Sequence, residues 1–267
     1  MSEHPIAARW RLLGTGETGA ARRRALIPYI TAGYPDAAAS REVLQRVAAA
    51  GADFVEVGVP FSDPLADGPT IQRTTQVALE RGMTTAGVLA LIREAALDLP
   101  VIIMTYVNPV LAYGVERFVA DAHAAGAAGL LLTDLPAGVD PAVEATVTRS
   151  PLALIRLVAP TTDDARLRAA LGEGEASGFV YLITRLGVTG ARDHVPPDLE
   201  AHVRRVRAAT RLPIAVGFGI ATAAQAAAAA RCADGVVVGS ALMDALAQGG
   251  VAAAERLAGE LAAAVHG

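Results

Sequence analysis

Glu56 occupies the setting that most limits what this chain can do. It lies inside the apolar run Phe54-Val55-Glu56-Val57-Gly58-Val59. Side chains of a strand alternate between faces, so Phe54, Glu56 and Gly58 share one face and the three valines the other. With the valines packed against helices, the carboxyl is driven into the interior, where desolvation opposes ionisation and raises its pKa. Such a group is a candidate acid/base for moving a proton. The alternative role is a structural carboxylate bridged to a buried arginine or hydroxyl.

Two further carboxyls follow in Pro60-Phe61-Ser62-Asp63-Pro64-Leu65-Ala66-Asp67-Gly68-Pro69-Thr70. Asp-Pro and Asp-Gly are ordinary turn formers, so Asp63 and Asp67 could serve the turn alone. Their loop opens directly above Glu56, however, and two carboxyls at one mouth can divide acid/base and charge-stabilising work. Glycines supply a third element: Gly187-Val188-Thr189-Gly190, Gly217-Phe218-Gly219 and Gly239-Ser240 each follow an apolar run. Glycine lets backbone N–H groups approach a phosphate, and a helix N-terminus beyond it adds partial positive charge. The three together point to a phosphorylated substrate. Tyr29, Tyr106, Tyr181 and Phe218 stand near the ends of apolar runs, where core filling is ordinary, but at one mouth they would line a flat apolar pocket. The histidines (His4, His123, His194, His202 and His266) have no metal-ligand spacing, so no metal site is expected.

These residues need a scaffold that brings loops from distant segments to one end. The runs Ala25–Thr31, Phe54–Val59, Val101–Tyr106, Gly129–Asp134, Ala153–Val158, Phe179–Thr184, Pro213–Phe218 and Gly235–Ser240 read as strands. Most are continuously apolar, as in parallel sheets buried on both faces. Amphipathic helices separate them, among them Ser40–Ala50, Val115–Ala125 and Asp198–Thr210. Ala50-Gly51, Ala125-Gly126 and Ala233-Asp234-Gly235 echo one another before strands, consistent with glycine ending a helix. The expected fold is α/β: a single (β/α)8 TIM barrel over residues 1–267, with residues 1–24 capping it and extended loops after strands 2 and 6. The first loop, Thr31-Ala32-Gly33-Tyr34-Pro35-Asp36, lacks the GxGxxG turn of an open doubly wound sheet.

Composition removes several chemistries. All 23 basic residues are arginine, so the chain has no lysine to form a Schiff base with substrate or with pyridoxal phosphate. The net charge of −4 gives no basic footprint for nucleic acid. One cysteine, Cys232, fits a reduced, cytoplasmic compartment, and neither a signal-peptide pattern nor a membrane-length apolar run is expected.

Four segments carry a resemblance: Pro28-Tyr29-Ile30-Thr31-Ala32-Gly33, Glu56 through Pro69, Arg185-Leu186-Gly187-Val188-Thr189-Gly190 and Gly217-Phe218-Gly219-Ile220. They are similar to the tryptophan synthase alpha subunit family. The resemblance implies a barrel lyase that cleaves indole-3-glycerol phosphate to indole and glyceraldehyde 3-phosphate without metal or organic cofactor. It implies Glu56 as general acid/base and Asp67 as stabiliser of charge at the indole N–H. It further implies phosphate on Gly190, Gly219, Gly239 and Ser240, and Tyr29, Tyr106, Tyr181 and Phe218 around the indole and its side chain. Thr189 would hydrogen-bond Asp67 on closure. The implied partner is a beta subunit in an αββα complex, with Asp63 near the contact. Leu186 and Thr184 depart from the family pattern in the lid. The rival expectations are a stand-alone lyase on the same barrel, a phosphosugar isomerase, and a non-catalytic phosphate-binding barrel that regulates a partner.

Overall fold

A computed structural model describes residues 3–14, 23–172, 174–183, 198–217 and 219–267. The strands β1 (Ala25–Thr31), β2 (Val55–Gly58), β3 (Val101–Thr105), β4 (Ala127–Leu132), β5 (Ala153–Val158), β6 (Val180–Ile183), β7 (Ile214–Gly217) and β8 (Gly235–Val238) form a closed parallel barrel. It closes through β1 against β8, with Ala25 opposite Gly235 and Pro28 opposite Val238. Every residue of β1, β3 and β4 is buried, as continuous apolar runs require between an inner core and an outer helical layer. The (β/α)8 expectation is therefore borne out. β4 begins at Ala127 rather than Gly129, because Gly126, at φ +101°, ends the preceding helix and releases Ala127 to pair with Val101.

Helix α1 (Pro5–Leu12) lies at the N-terminal end of the strands, where Trp10 packs against Phe54 at 4.8 Å and Phe179 at 5.8 Å between ring centroids. This contact corrects the reading of Gly235 as a helix-ending glycine. Gly235 lies within β8, and a Cβ there would stand 2.9 Å from the Trp10 indole. The glycine makes room for the ring. Buried carboxylates secure the same end. Asp53 Oδ2 accepts from Leu26 N at 3.0 Å and lies 2.9 Å from His266 Nε2, and Asp234 Oδ2 accepts from Ile214 N at 2.8 Å. Arg23 and Arg207 pair with these two carboxylates. One end of the barrel is thus sealed by aromatic packing and ion pairs, which leaves the C-terminal end of the strands for chemistry.

Two helices matter most to that end. Helix α3 (Pro69–Glu80) follows the loop after β2, and α11 (Ser240–His266), broken at Gly249–Gly250, follows β8. Helices α2 (Ala37–Ala49), α4 (Thr85–Ala95), α5 (Val107–Tyr113), α6 (Val115–Ala124), α7 (Pro141–Thr148), α8 (Asp164–Leu171), α9 (Leu199–Arg207) and α10 (Ala223–Cys232) complete the described outer layer.

Candidate active site

Alternation along β2 acts as the sequence suggests. Phe54 meets Trp10 at the sealed end, and Glu56 faces the cavity at the open end. Glu56 is 1% exposed, and its Oε2 has no hydrogen-bond partner among the described residues. Burial is the main reason its pKa rises to about 8, with the negative charge of Asp67 adding to the effect.

Asp67 reaches the same cavity from the loop between β2 and α3. Short-range bonds shape that loop: Leu65 N donates to Asp63 O at 2.9 Å and Asp67 N to Pro64 O at 3.1 Å, before Pro69 opens α3. Tyr106, at the end of β3, donates its hydroxyl to Asp67 Oδ2 at 3.0 Å and accepts from Ala66 N at 3.0 Å. Gln72 Nε2 holds the Asp67 carbonyl at 2.9 Å. Burial pushes the Asp67 pKa up to about 6, and the Tyr106 hydrogen bond restrains the rise.

The cavity encloses about 500 Å³, open mouth included. Tyr29, Glu56, Asp67, Tyr181, Gly219, Gly239 and Ser240 line it, so seven of the expected site residues converge. Tyr106 is absent from that lining and stands behind Asp67, an anchor for the carboxylate rather than a wall of the pocket. Asp63 is exposed on the outer loop, bonded by Ser62 Oγ at 2.6 Å. Thr189, Gly190 and Phe218, with Thr184 and Leu186, lie outside the described residues. Sequence reasoning missed the apolar lining from Ile71, Met104, Ile220 and Val237. Strand alternation could have found Met104 and Val237, each two positions beyond an inward residue.

The two phenols fit only because glycines face them. A Cβ on Gly58 would lie 2.0 Å from the Tyr29 hydroxyl, and one on Gly217 would lie 2.3 Å from that of Tyr181. The Tyr29 hydroxyl also accepts from Thr31 Oγ1 at 3.4 Å, and Thr31 Oγ1 is 2.8 Å from Thr74 Oγ1 on α3. Burial, foremost, raises the pKa of both phenols well above the ordinary tyrosine range, so both stay protonated. Gly58→Ala is expected to displace Tyr29 and reduce kcat/KM at least about tenfold while the barrel persists, since overpacking typically costs about 1–3 kcal/mol. Steady-state kinetics beside a circular-dichroism melt checks this, and unchanged kinetics would contradict it.

Opposite the carboxyls, α11 starts at Ser240 behind Gly239, which provides no side-chain cap. The first intrahelical bond runs from Met243 N to Gly239 O at 3.0 Å, so the preceding N–H groups have no helical acceptor. An uncapped helix start at one end and two carboxyls of raised pKa at the other suit a substrate with an anionic tail and a proton-accepting head.

The tryptophan synthase alpha chain family matches residues 17–265. The chain belongs to that family. A tryptophan synthase alpha chain of Acidiphilium cryptum is 50% identical over 230 residues, covering 85% of this chain and 83% of the relative. The Geobacter sulfurreducens protein of that name is 47% identical over 223 residues, covering 83% and 84%. A Mycobacterium tuberculosis tryptophan synthase structure superposes with a TM-score of 0.89 at 40% identity, covering 99% of each chain. The tryptophan synthase subunit alpha of Legionella pneumophila gives 0.88 at 32% identity, again covering 99% of each. The family's reaction is cleavage of indole-3-glycerol phosphate, a lyase reaction, and its partner is the beta subunit.

Proposed function

We propose that this chain performs that cleavage with Glu56 as general acid and base and Asp67 as charge stabiliser. The observation that carries the reading is one cavity holding two carboxyls of unequal proton affinity, about 8 and about 6. At neutral pH Glu56 mostly keeps its proton and Asp67 has mostly lost its own. Glu56 gives its proton to C3 of the indole, and positive charge appears at the ring nitrogen, where Asp67 offsets it. The Glu56 carboxylate then takes the proton of the C3′ hydroxyl. The bond between C3 and C3′ breaks, its electron pair returns to the ring, and the new carbonyl becomes that of glyceraldehyde 3-phosphate. Indole leaves and Glu56 is protonated again, so the cycle balances within this chain's own residues. Gly219, Gly239 and Ser240 hold the phosphate together with Gly190, Thr189 bonds Asp67, and Tyr29, Tyr181 and Phe218 flank the ring.

The open face of the barrel also fits a protein partner. Leu65, 91% exposed on the Asp63 loop, is joined by exposed Leu111 on α5 and Val139 after β4. These apolar side chains follow consecutive strands, a placement that suits docking of the beta subunit beside Asp63. No described helix is long and apolar enough to cross a membrane. A cytoplasmic location belongs to the same proposal and is supported by the single cysteine, Cys232, which fits a reduced compartment. Indole release by the isolated chain is expected to be slow and to rise sharply when the beta subunit is added. Full turnover by the chain alone would favour the stand-alone lyase instead.

A further inference from the structure

The two ends of the cavity are joined by a side-chain cluster outside it. Asp244 lies four residues beyond Ser240 in α11, hence on the same face one turn along, with about 6 Å between such positions. Its carboxylate accepts from the Thr70 hydroxyl at 3.1 and 3.2 Å and from the Arg73 guanidinium at 2.7 Å. Thr70 and Arg73 belong to the first turns of α3, directly after Asp67-Gly68-Pro69. The carboxylate therefore ties the helix that follows the acid/base loop to the helix whose start faces the substrate's phosphate. Arg73 and Asp244 are 53% and 40% exposed, and such pairs contribute little to fold stability. Their position suggests a different role. An unpaired carboxylate one helical turn from a phosphate dianion would repel it, and Arg73 is the cation bonded to that carboxylate.

We propose that Arg73 and Thr70 are positioning residues that neutralise and fix Asp244, and so set the affinity of the α11 start for the substrate's phosphate. This rests on the placement of phosphate at Gly239 and Ser240 given above. The charges predict opposite signs for the two halves of one ion pair. Arg73→Gln exposes the carboxylate and weakens phosphate binding, whereas Asp244→Asn removes the repelling charge and does not weaken it.

The test uses the full-length chain, inorganic phosphate as a competitive inhibitor of indole-3-glycerol phosphate cleavage, and low ionic strength. Arg73→Gln is expected to raise the inhibition constant and KM about fivefold to tenfold, from a unit charge acting on a dianion at this range in water. Near 1 M salt, where the screening length is about 3 Å, most of that difference should vanish. Asp244→Asn should leave both constants unchanged or lowered, Arg73→Lys should stay close to the parent chain, and Arg73→Gln with Asp244→Asn should return to it. Parallel weakening by both single variants, or no response to Arg73→Gln, would overturn the proposal. Ser240→Asp separates the two readings. If it leaves phosphate inhibition intact, the phosphate placement itself fails; if it abolishes inhibition while Arg73→Gln does nothing, the Arg73 role alone fails.

Discussion

Glu56→Gln is expected to lower kcat/KM about 10³-fold and, at the same time, to make the protein more stable at neutral pH. The activity loss follows from removing the only described group placed to both deliver and recover a proton, within the range of about 10²–10⁴ usual for general acid/base catalysis. The stability gain follows from linkage. The native carboxyl titrates near pH 8 against an ordinary value of 4.5, so between these values the folded chain holds a proton that the unfolded chain has released. Folding stability therefore falls as pH rises through that window. Glutamine does not titrate and escapes the loss, a gain on the order of 3 kcal/mol at pH 7 that disappears below about pH 4. Denaturant melts at pH 4 and pH 7 check it, and an equal gain at both pH values would contradict the buried-carboxyl account. In the parent chain, kcat/KM should decline above about pH 8 as Glu56 loses its proton, and below about pH 6 as Asp67 gains one. The two groups interact, so both limbs are properties of the pair.

Asp67→Asn is expected to reduce kcat about 10²- to 10³-fold with a smaller change in KM. The anion is needed when charge develops on the ring nitrogen, more than in the ground state. The substitution also removes a negative charge that raises the Glu56 pKa, so the alkaline limb of the residual activity should move to lower pH. A limb that stays in place, or a loss confined to KM, would show that Asp67 serves binding alone. If neither variant altered cleavage, the roles given to Glu56 and Asp67 would be wrong; only a parent chain that cleaves no substrate at all would be better described as a silent phosphate-binding barrel.

The apolar runs, their separation by amphipathic stretches and the inward turn of Glu56 were all legible in the sequence, because each depends on periodicities of a few residues. Alternation from Phe54 into β2 is enough to place Phe54 at one end of the barrel interior and Glu56 toward the other. Gly235 shows the limit of local reasoning. Its neighbours suggest a helix end, but the indole of Trp10, far away in the chain, is what excludes a side chain there. The role of Tyr106 behind Asp67 was equally hidden, since its position near a strand end suggests only another aromatic wall.

The sequence by itself determined that Glu56 faces inward, that proton transfer without a lysine amine is the available chemistry, and that loops after successive strands share one face. Only the tertiary structure decided which hydroxyl holds Asp67, which glycines accept a phenol, and that Arg73 meets a carboxylate 171 positions away. The division is physical. Strand and helix periodicity is written in neighbouring residues, whereas closure of the barrel sets through-space contacts and the desolvation that moves a pKa.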